Sequence, residues 1–285
     1  LVTRKVLSGN HNYGISSVFE VIRDIVEIER GTKLSSDIIQ EIRIGTTLGT
    51  NALLERKGSK TALLVTEGFE DILRIGDQTR DSLFDLSISK RSVLYTCSIG
   101  VHERIDKMGH VIRSIDRSKL EKIIESIKLS GINSLAITFM NSYKNSLHEI
   151  IAKEVALQFS FENISVSHEV SGLMGYVDRC STTVIDAYLA PIVRKYISAM
   201  SKFSGNIPIK IMQSNGGLTE AAESRGRNLI LSGPAGGVVG SIKISSRLGR
   251  NRIICFDMGG TSTDVAHFSG KLEYRSKTNI EGIPI

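Results

Sequence analysis

The stretch Phe256-Asp257-Met258-Gly259-Gly260-Thr261-Ser262-Thr263-Asp264 decides the fold. It follows the short apolar run from Arg252 to Cys255 and reads as a strand delivering a carboxylate into a glycine-hydroxyl turn. A second strand, Asp264 to Phe268, leaves that turn. Paired glycines let backbone N–H groups crowd a small anion where a Cβ would clash. Successive N–H groups in such a turn form an anion-binding concavity, and the hydroxyls of Thr261, Ser262 and Thr263 add donors. Asp257 and Asp264 carry the wrong sign for a phosphate. They make sense where a hard divalent cation, Mg²⁺, bridges carboxylate and phosphate oxygens. The alternative is an ordinary hairpin with a Gly-Gly turn, which requires neither two acids nor three hydroxyls.

Upstream of this hairpin, strands alternate with helices, the pattern of an α/β fold. Leu1 to Leu7 reads as a strand, and Ile15, Val18, Phe19, Ile22 and Val26 mark one face of a helix ending near Arg30. Glu41 to Thr47 and Lys60 to Thr66 read as strands flanking a helix from Leu48 to Arg56 that stops at Gly58. Residues 91–115 read as a β-rich insertion, with Ile99 to Ile105 and His110 to Ile115 around the turn Asp106-Lys107-Met108-Gly109. Asp116 is placed to cap a helix with the apolar face Leu120, Ile123, Ile124 and Ile127, closed by Gly131. Ser134 to Met140 and Ile164 to His168 read as strands around a helix from Asn145 to Phe159. A composition change at Val170-Ser171-Gly172 marks a domain boundary, giving domains 1–172 and 173–285. Beyond it a helix from Arg179 to Phe203 contains Pro191, which should kink or divide it. Strands Pro208 to Gln213 and Asn228 to Leu231 follow, then a helix opening at Ser232 and running to Leu248.

A chain of 285 residues with 41% hydrophobic content has ample material for a core. Its formal charge of +6 is spread out, and with no tryptophan a nucleic-acid platform is not indicated. Cys97, Cys180 and Cys255 lack CxxC spacing, so neither a disulfide framework nor a zinc site is expected, which suits a reducing cytoplasm. No apolar run is long enough for a membrane span, and a soluble protein is expected.

Other segments compete for attention as sites. Gly45-Thr46-Thr47-Leu48-Gly49-Thr50-Asn51 is a hydroxyl-rich strand-to-helix junction, where Thr46, Thr47 and Asn51 either touch substrate or cap the helix. Asn215, in the turn Ser214-Asn215-Gly216-Gly217, either meets a ligand or serves the turn. Ser232 to Gly240 fits neither GxGxxG nor a Walker motif, and its small residues read as close packing, as at an interdomain hinge. His102, His110, His148 and His168 are taken as surface or packed groups, the face of His267 is open, and Cys180 is taken as a buried structural thiol.

Several motifs agree on one family. Gly45-Thr46-Thr47 through Gly58, Thr66 to Leu73, and Val101-His102-Glu103-Arg104-Ile105-Asp106 with Gly109 resemble the N-terminal domain of the hydantoinase A / 5-oxoprolinase family. Ser181-Thr182-Thr183 through Pro191, Gln213 to Leu218, Ser232 to Gly240 and Asp257 to Asp264 resemble its second domain. The resemblance implies an actin-like ATPase (ribonuclease H-like) fold of two lobes, shared with sugar kinases and Hsp70, that clamps ATP between two phosphate hairpins. Asp257 to Asp264 corresponds to the second hairpin. The first would lie upstream of Leu1 and the adenosine-binding segment past Ile285, so this stretch alone is expected to have negligible ATPase activity. Two positions depart from the family pattern: Ile44 stands where it often has His, and Tyr176-Val177-Asp178-Arg179 where it often has Glu-Tyr-Glu-Arg.

The resemblance also implies chemistry: ATP-driven opening of a cyclic amide of the hydantoin or 5-oxoproline type, through phosphorylation of the carbonyl oxygen. On that basis Asp257 binds Mg²⁺ through water, Gly259, Gly260, Thr261, Ser262 and Thr263 hold phosphate, and Asp264 supports the cation or the turn. Arg104 and Arg179 are either substrate or structural salt-bridge residues and are left outside the site. An ATP-dependent ketone carboxylase subunit and a non-catalytic actin-like module are the alternatives. A hydantoinase B-type partner subunit and a larger oligomer are expected through the family.

Overall fold

The chain alternates helices and strands much as its periodicity predicts. The computed structural model describes residues 2–6, 14–77, 92–258, 263–275, 277–280 and 282–285. In chain order these form α1 (Ile15–Ile25), β1 (Ile42–Ile44), α2 (Leu48–Leu54), β2 (Thr61–Thr66), α3 (Ile72–Ile75), β3 (Cys97–Val101), β4 (Arg104–Ile105) and β5 (Val111–Arg113). Next come α4 (Arg117–Leu129), β6 (Ser134–Thr138), α5 (Leu147–Leu157), β7 (Asn163–Val166), α6 (Ser167–Val170) and α7 (Tyr176–Ser204). The remainder is β8 (Ile209–Met212), β9 (Leu218–Glu220), α8 (Ser232–Arg247), β10 (Ile253–Met258), β11 (Thr263–Phe268), β12 (Asn279–Ile280) and β13 (Ile283–Pro284). They form two compact units interleaved along the chain: Leu1–Asn51 with Ile192–Tyr274, and Ala52–Pro191 with Arg275–Ile285. Among the described residues no helix is long and apolar enough to cross a membrane.

The unit containing residues 52–191 is built on a parallel sheet in the order β3-β2-β6-β7. Its central strands are buried at every position, as expected when helices cover both faces. Ala62 and Leu64 point to one side, where α4 and α5 bring Leu120, Ile124, Ala152 and Val155. Leu63 and Val65 point to the other, against Cys180, Val184 and Ala187 of α7. Asp116 caps α4 by accepting from the Lys119 amide at 3.2 Å, and Gly131 ends its exit in the left-handed region at φ 78°.

Helix α7 runs unbroken through Pro191, so the expected division of the helix does not occur. Proline removes the amide that would bond Ala187 O four residues back. Ser134 Oγ donates to that carbonyl instead, at 2.6 Å, and the Ser59 amide donates to Tyr188 O at 3.0 Å. The Tyr188 ring lies on Gly58, where an added Cβ would sit 1.9 Å from Cε1, so only glycine fits.

The other unit holds β1 parallel to β8, with β9 antiparallel on the far side of β8. Its core joins Ile15 and Phe19 of α1, Val193 and Met200 from the second half of α7, and Ile209 and Ile211 of β8. Some boundaries differ from expectation. Residues 2–6 are exposed and form no strand, while Leu1 and Leu7 lie outside the described residues. Helix α1 stops at Ile25, because Glu27 turns the chain at φ 59°. Cys97–Val101 belongs to the central sheet, so only β4 and β5 form the hairpin around residues 106–109. A 3-10 turn, Gly226–Leu229, replaces the expected strand at 228–231.

Ser134→Ala should lower unfolding free energy by about 1–3 kcal/mol, the cost of leaving a buried carbonyl unsatisfied. Urea unfolding checks this, and a loss below a few tenths would mean Ala187 O finds another donor.

Candidate active site

Strands β10 and β11 pair antiparallel in a register that runs from Ile253 opposite Phe268 to Met258 opposite Thr263. Side chains alternate across a ribbon, so Asp257 and Asp264 fall on one face as direct partners. The same face carries Ile253, Cys255, Ala266 and the buried Phe268, and α8 packs against the ribbon. A Cβ added at Gly237 of α8 would stand 3.9 Å from Asp257 Oδ2. The opposite face turns Ile254, Phe256, Met258 and Val265 to solvent, and His267 is exposed on that face too. Gly259, Gly260, Thr261 and Ser262, assigned to phosphate from sequence, lie outside the described residues; Thr263 opens β11 and is exposed.

Like charges directly opposite on paired strands are destabilising. Asp257 and Asp264 are both exposed, and among the described residues no basic side chain pairs with either. No group of three or more His, Cys, Asp or Glu suited to a metal exists among the described residues. Two carboxylates at one ribbon end fit a cation that draws its remaining ligands from water and phosphate, which is the habit of Mg²⁺.

The start of α8 is tied to the β1–α2 junction. Ser232 Oγ donates to Thr46 O at 2.7 Å, and the Leu231 amide donates to Thr50 Oγ1 at 3.0 Å. Leu231 itself sits in the left-handed region at φ 57°, unusual for a residue other than glycine. Gly233 packs so closely that a Cβ would lie 2.9 Å from Thr47 Cγ2. Ser232 and Gly233 therefore serve close packing, and do so within one unit. Thr46 Oγ1 accepts from the Leu48 amide at 3.2 Å, and Asn51 Nδ2 donates to Thr47 Oγ1 at 3.3 Å, so all three junction residues are engaged in opening α2. Asn215 Oδ1 accepts from the Gly217 amide at 2.9 Å, closing its own turn. The contact between Gly237 and Asp257 has no local signature in the sequence.

The histidines hold a further surprise. Nδ1 lies 2.6 Å from Glu67 in His102, 3.1 Å from Asp106 in His110, 2.6 Å from Glu103 in His148 and 2.7 Å from Glu149 in His168. Three of these pairs span 19 to 45 residues, beyond the reach of local spacing. Arg179 is fully buried and donates to the carbonyls of Phe139, Leu173 and Met174 and to Ser167 Oγ, so it is structural. Arg104 stacks over the Phe69 ring at 5.4 Å. Burial pushes the Cys180 thiol up to about 12, which leaves it inert at neutral pH.

Comparison with known proteins agrees with this architecture. The sequence matches the family model of the hydantoinase/oxoprolinase N-terminal region over residues 1–159 and that of hydantoinase/oxoprolinase over 179–285. The chain belongs to the hydantoinase/oxoprolinase family. It is 39% identical over 301 residues to 5-oxoprolinase 1 of Arabidopsis thaliana, covering 95% of this chain and 24% of that protein. Caprolactamase subunit alpha of Pseudomonas jessenii is 31% identical over 238 residues, 79% of this chain and 34% of the subunit. The crystal structure of the ATP-dependent caprolactamase from that organism aligns with a TM-score of 0.76 at 27% identity, covering 92% of this chain and 39% of that one. Nucleotide-free acetone carboxylase aligns with a TM-score of 0.82 at 22% identity, over 99% of this chain and 42% of that one, a likeness of fold. The fold is thus the α/β, actin-like ATPase type. The chain spans about a quarter of the length of the 5-oxoprolinases it matches.

Asp264→Asn should relieve the charge opposition and raise the melting temperature in EDTA, by the equivalent of roughly 0.2–1 kcal/mol. Millimolar Mg²⁺ should stabilise the unaltered protein more than the variant. Thermal unfolding in both buffers checks it; a variant less stable than the parent in EDTA would show that the two acids do not repel.

Proposed function

We propose that the protein carrying this chain is an ATP-dependent hydrolase that opens a cyclic amide of the 5-oxoproline or hydantoin type. The observation that carries this reading is the Asp257–Asp264 pair, two carboxylates without a basic partner among the described residues, held side by side where β10 ends and β11 begins. Family membership and the likeness to 5-oxoprolinases and a caprolactamase support the choice of substrate class.

The chemistry follows from the inertness of amides. Resonance makes an unstrained lactam carbonyl a poor electrophile. Transfer of the γ-phosphoryl group to the carbonyl oxygen breaks the bond to ADP and leaves an activated carbon that water attacks. The C–N bond then opens to release the amine and leave a carboxyl phosphate, and a second water hydrolyses that to a carboxylate and inorganic phosphate. Positioning and charge neutralisation supply most of the catalysis in phosphoryl transfer. Asp257 would hold Mg²⁺ through water, with Asp264 behind it. Mg²⁺ would neutralise charge on the phosphates. The backbone of Gly259, Gly260 and Thr261, with the hydroxyls of Ser262 and Thr263, would hold phosphate oxygens.

Under the same reading the sequence divides at residue 172, between the two family matches. The active protein works in the cytoplasm as an oligomer with a B-type partner subunit, in keeping with the caprolactamase relative being a subunit alpha.

Asp257→Ala in the protein carrying this chain should lower ATP-dependent ring opening by about 10²-fold or more while leaving the circular dichroism spectrum unchanged. Near-normal turnover would defeat the assignment. Phosphate release that needs bicarbonate and a ketone rather than a lactam would replace it with ketone carboxylation.

A further inference from the structure

Among the described residues one apolar side chain sits in the left-handed region: Leu231, at φ 57° and ψ 19°, where α8 begins. The other non-glycine residues that do so, Glu27, Arg56, Asn141 and Ser160, are polar, and glycine fills the remaining such positions. A left-handed leucine brings its Cβ close to the following carbonyl oxygen, and it has no polar side-chain atom to bond locally in compensation. Strain of this kind persists only where the surroundings over-determine it, and it gathers where geometry serves a function.

The surroundings of Leu231 do over-determine it, and all of them lie in one compact unit. Thr50 Oγ1 of α2 accepts from the Leu231 amide, and Ser232 Oγ donates to Thr46 O. Ser214 Oγ donates toward the carbonyls of Asn228 and Ile230. A Cβ added at Gly49 would stand 3.0 Å from Leu229 O, so α2 presses directly on the approach to α8. The Ala235 amide then closes the first helical turn on Leu231 O at 3.0 Å. Of these ties, the one from Thr50 ends on the amide of the strained residue itself.

The start of a helix sets its phase. Each residue adds about 100° of turn, so the conformation of Leu231 decides which side of α8 passes the β10–β11 ribbon. In the observed phase that side presents Gly237, and a Cβ there would stand 3.9 Å from Asp257 Oδ2. Turning α8 by one residue would swing the branched Val238 towards the carboxylate or draw the helix wall away from it. Either change alters the space in which Asp257 can hold a hydrated cation.

Resting on the hydrolase reading given above, we propose that Thr50 is a positioning residue for Asp257. Its hydroxyl oxygen holds the left-handed start of α8, and the phase of that helix fixes the wall beside the Asp257 carboxylate. Thr50 acts through Leu231 and α8 and carries none of the chemistry itself.

The test uses the protein carrying this chain. It reads the Mg²⁺ dependence of ATP binding by titration calorimetry, the melting temperature in EDTA, and ATP-driven opening of 5-oxoproline. Thr50→Val keeps the shape of the side chain and loses the acceptor. It should raise the Mg²⁺ concentration for half-maximal ATP binding about tenfold and lower kcat similarly, because small misplacements remote from the chemistry are costly. The KM for the lactam should stay within about twofold. Thr50→Ser keeps the oxygen and should stay within about twofold of the parent on every readout. Adding Leu231→Gly to Thr50→Val should bring the Mg²⁺ requirement back within about threefold of the parent, since glycine takes the left-handed conformation without strain. A folded Thr50→Val protein with the parental Mg²⁺ requirement overturns the proposal, even if its melting temperature falls, for that is packing alone. A double variant still about tenfold weaker than the parent overturns it too, and decides the matter if Thr50→Val alone does not fold. Asp257→Asn that abolishes the Mg²⁺ dependence, beside a Thr50→Val that leaves it whole, sinks the positioning role and spares the hydrolase reading. A parent whose ATP binding answers to Mg²⁺ but which opens no lactam sinks the hydrolase reading, and the Thr50→Val shift then upholds or overturns the positioning role by itself.

Discussion

Two of the apolar clusters of this protein draw on one helix with a proline at its middle, and that constraint shapes much else. The first half of α7 supplies Cys180, Val184 and Ala187 to the core beneath the parallel sheet. Its second half supplies Val193 and Met200 to the core around β8. The helix survives because strand β6 offers a hydroxyl, Ser134 Oγ, where the helix lost an amide. Residues 58 and 59 complete the repair, one by having no side chain under Tyr188 and the other by donating to its carbonyl.

The candidate site rests on a second constraint, register. Slipping β11 by one residue would send Asp264 to the opposite face and leave Asp257 without its counterpart. Phe268, buried at the far end of the ribbon opposite Ile253, helps fix that register. Chemistry at one end of the hairpin is thereby set by packing at the other. The acids are held together by apolar anchoring and in spite of their mutual repulsion.

Much of this was legible in the sequence, and the boundary between legible and hidden follows range. The hairpin at 253–268, the capped helix after Asp116 and the apolar strands β2 and β6 announce themselves through local pattern. Cys97–Val101 misleads because its mixed content suits the edge strand of a parallel sheet and a hairpin arm equally. The turn at 226–231 misleads because Asn228 to Leu231 reads as extended until the demand of starting α8 is known. The glycines of α8 reveal small size but not what they border. Asp257 is twenty residues from Gly237 in the chain, and no periodicity joins them. The His–Glu pairs are hidden for the same reason: each ring meets an acid from another element, so the sequence shows isolated histidines where the fold makes partners. Arg179 is hidden differently, as a charged side chain whose job is to hold main-chain carbonyls.

The outward face of the β10–β11 ribbon has a practical consequence for anyone preparing this polypeptide. Ile254, Phe256, Met258 and Val265 form a greasy strip on a two-stranded ribbon whose outer edges pair with no other described strand. Open edges beside apolar side chains are templates for intermolecular zippering. Concentrated stocks will therefore tend to clump through this strip, and a lysine in place of Ile254 would act as a gatekeeper against it.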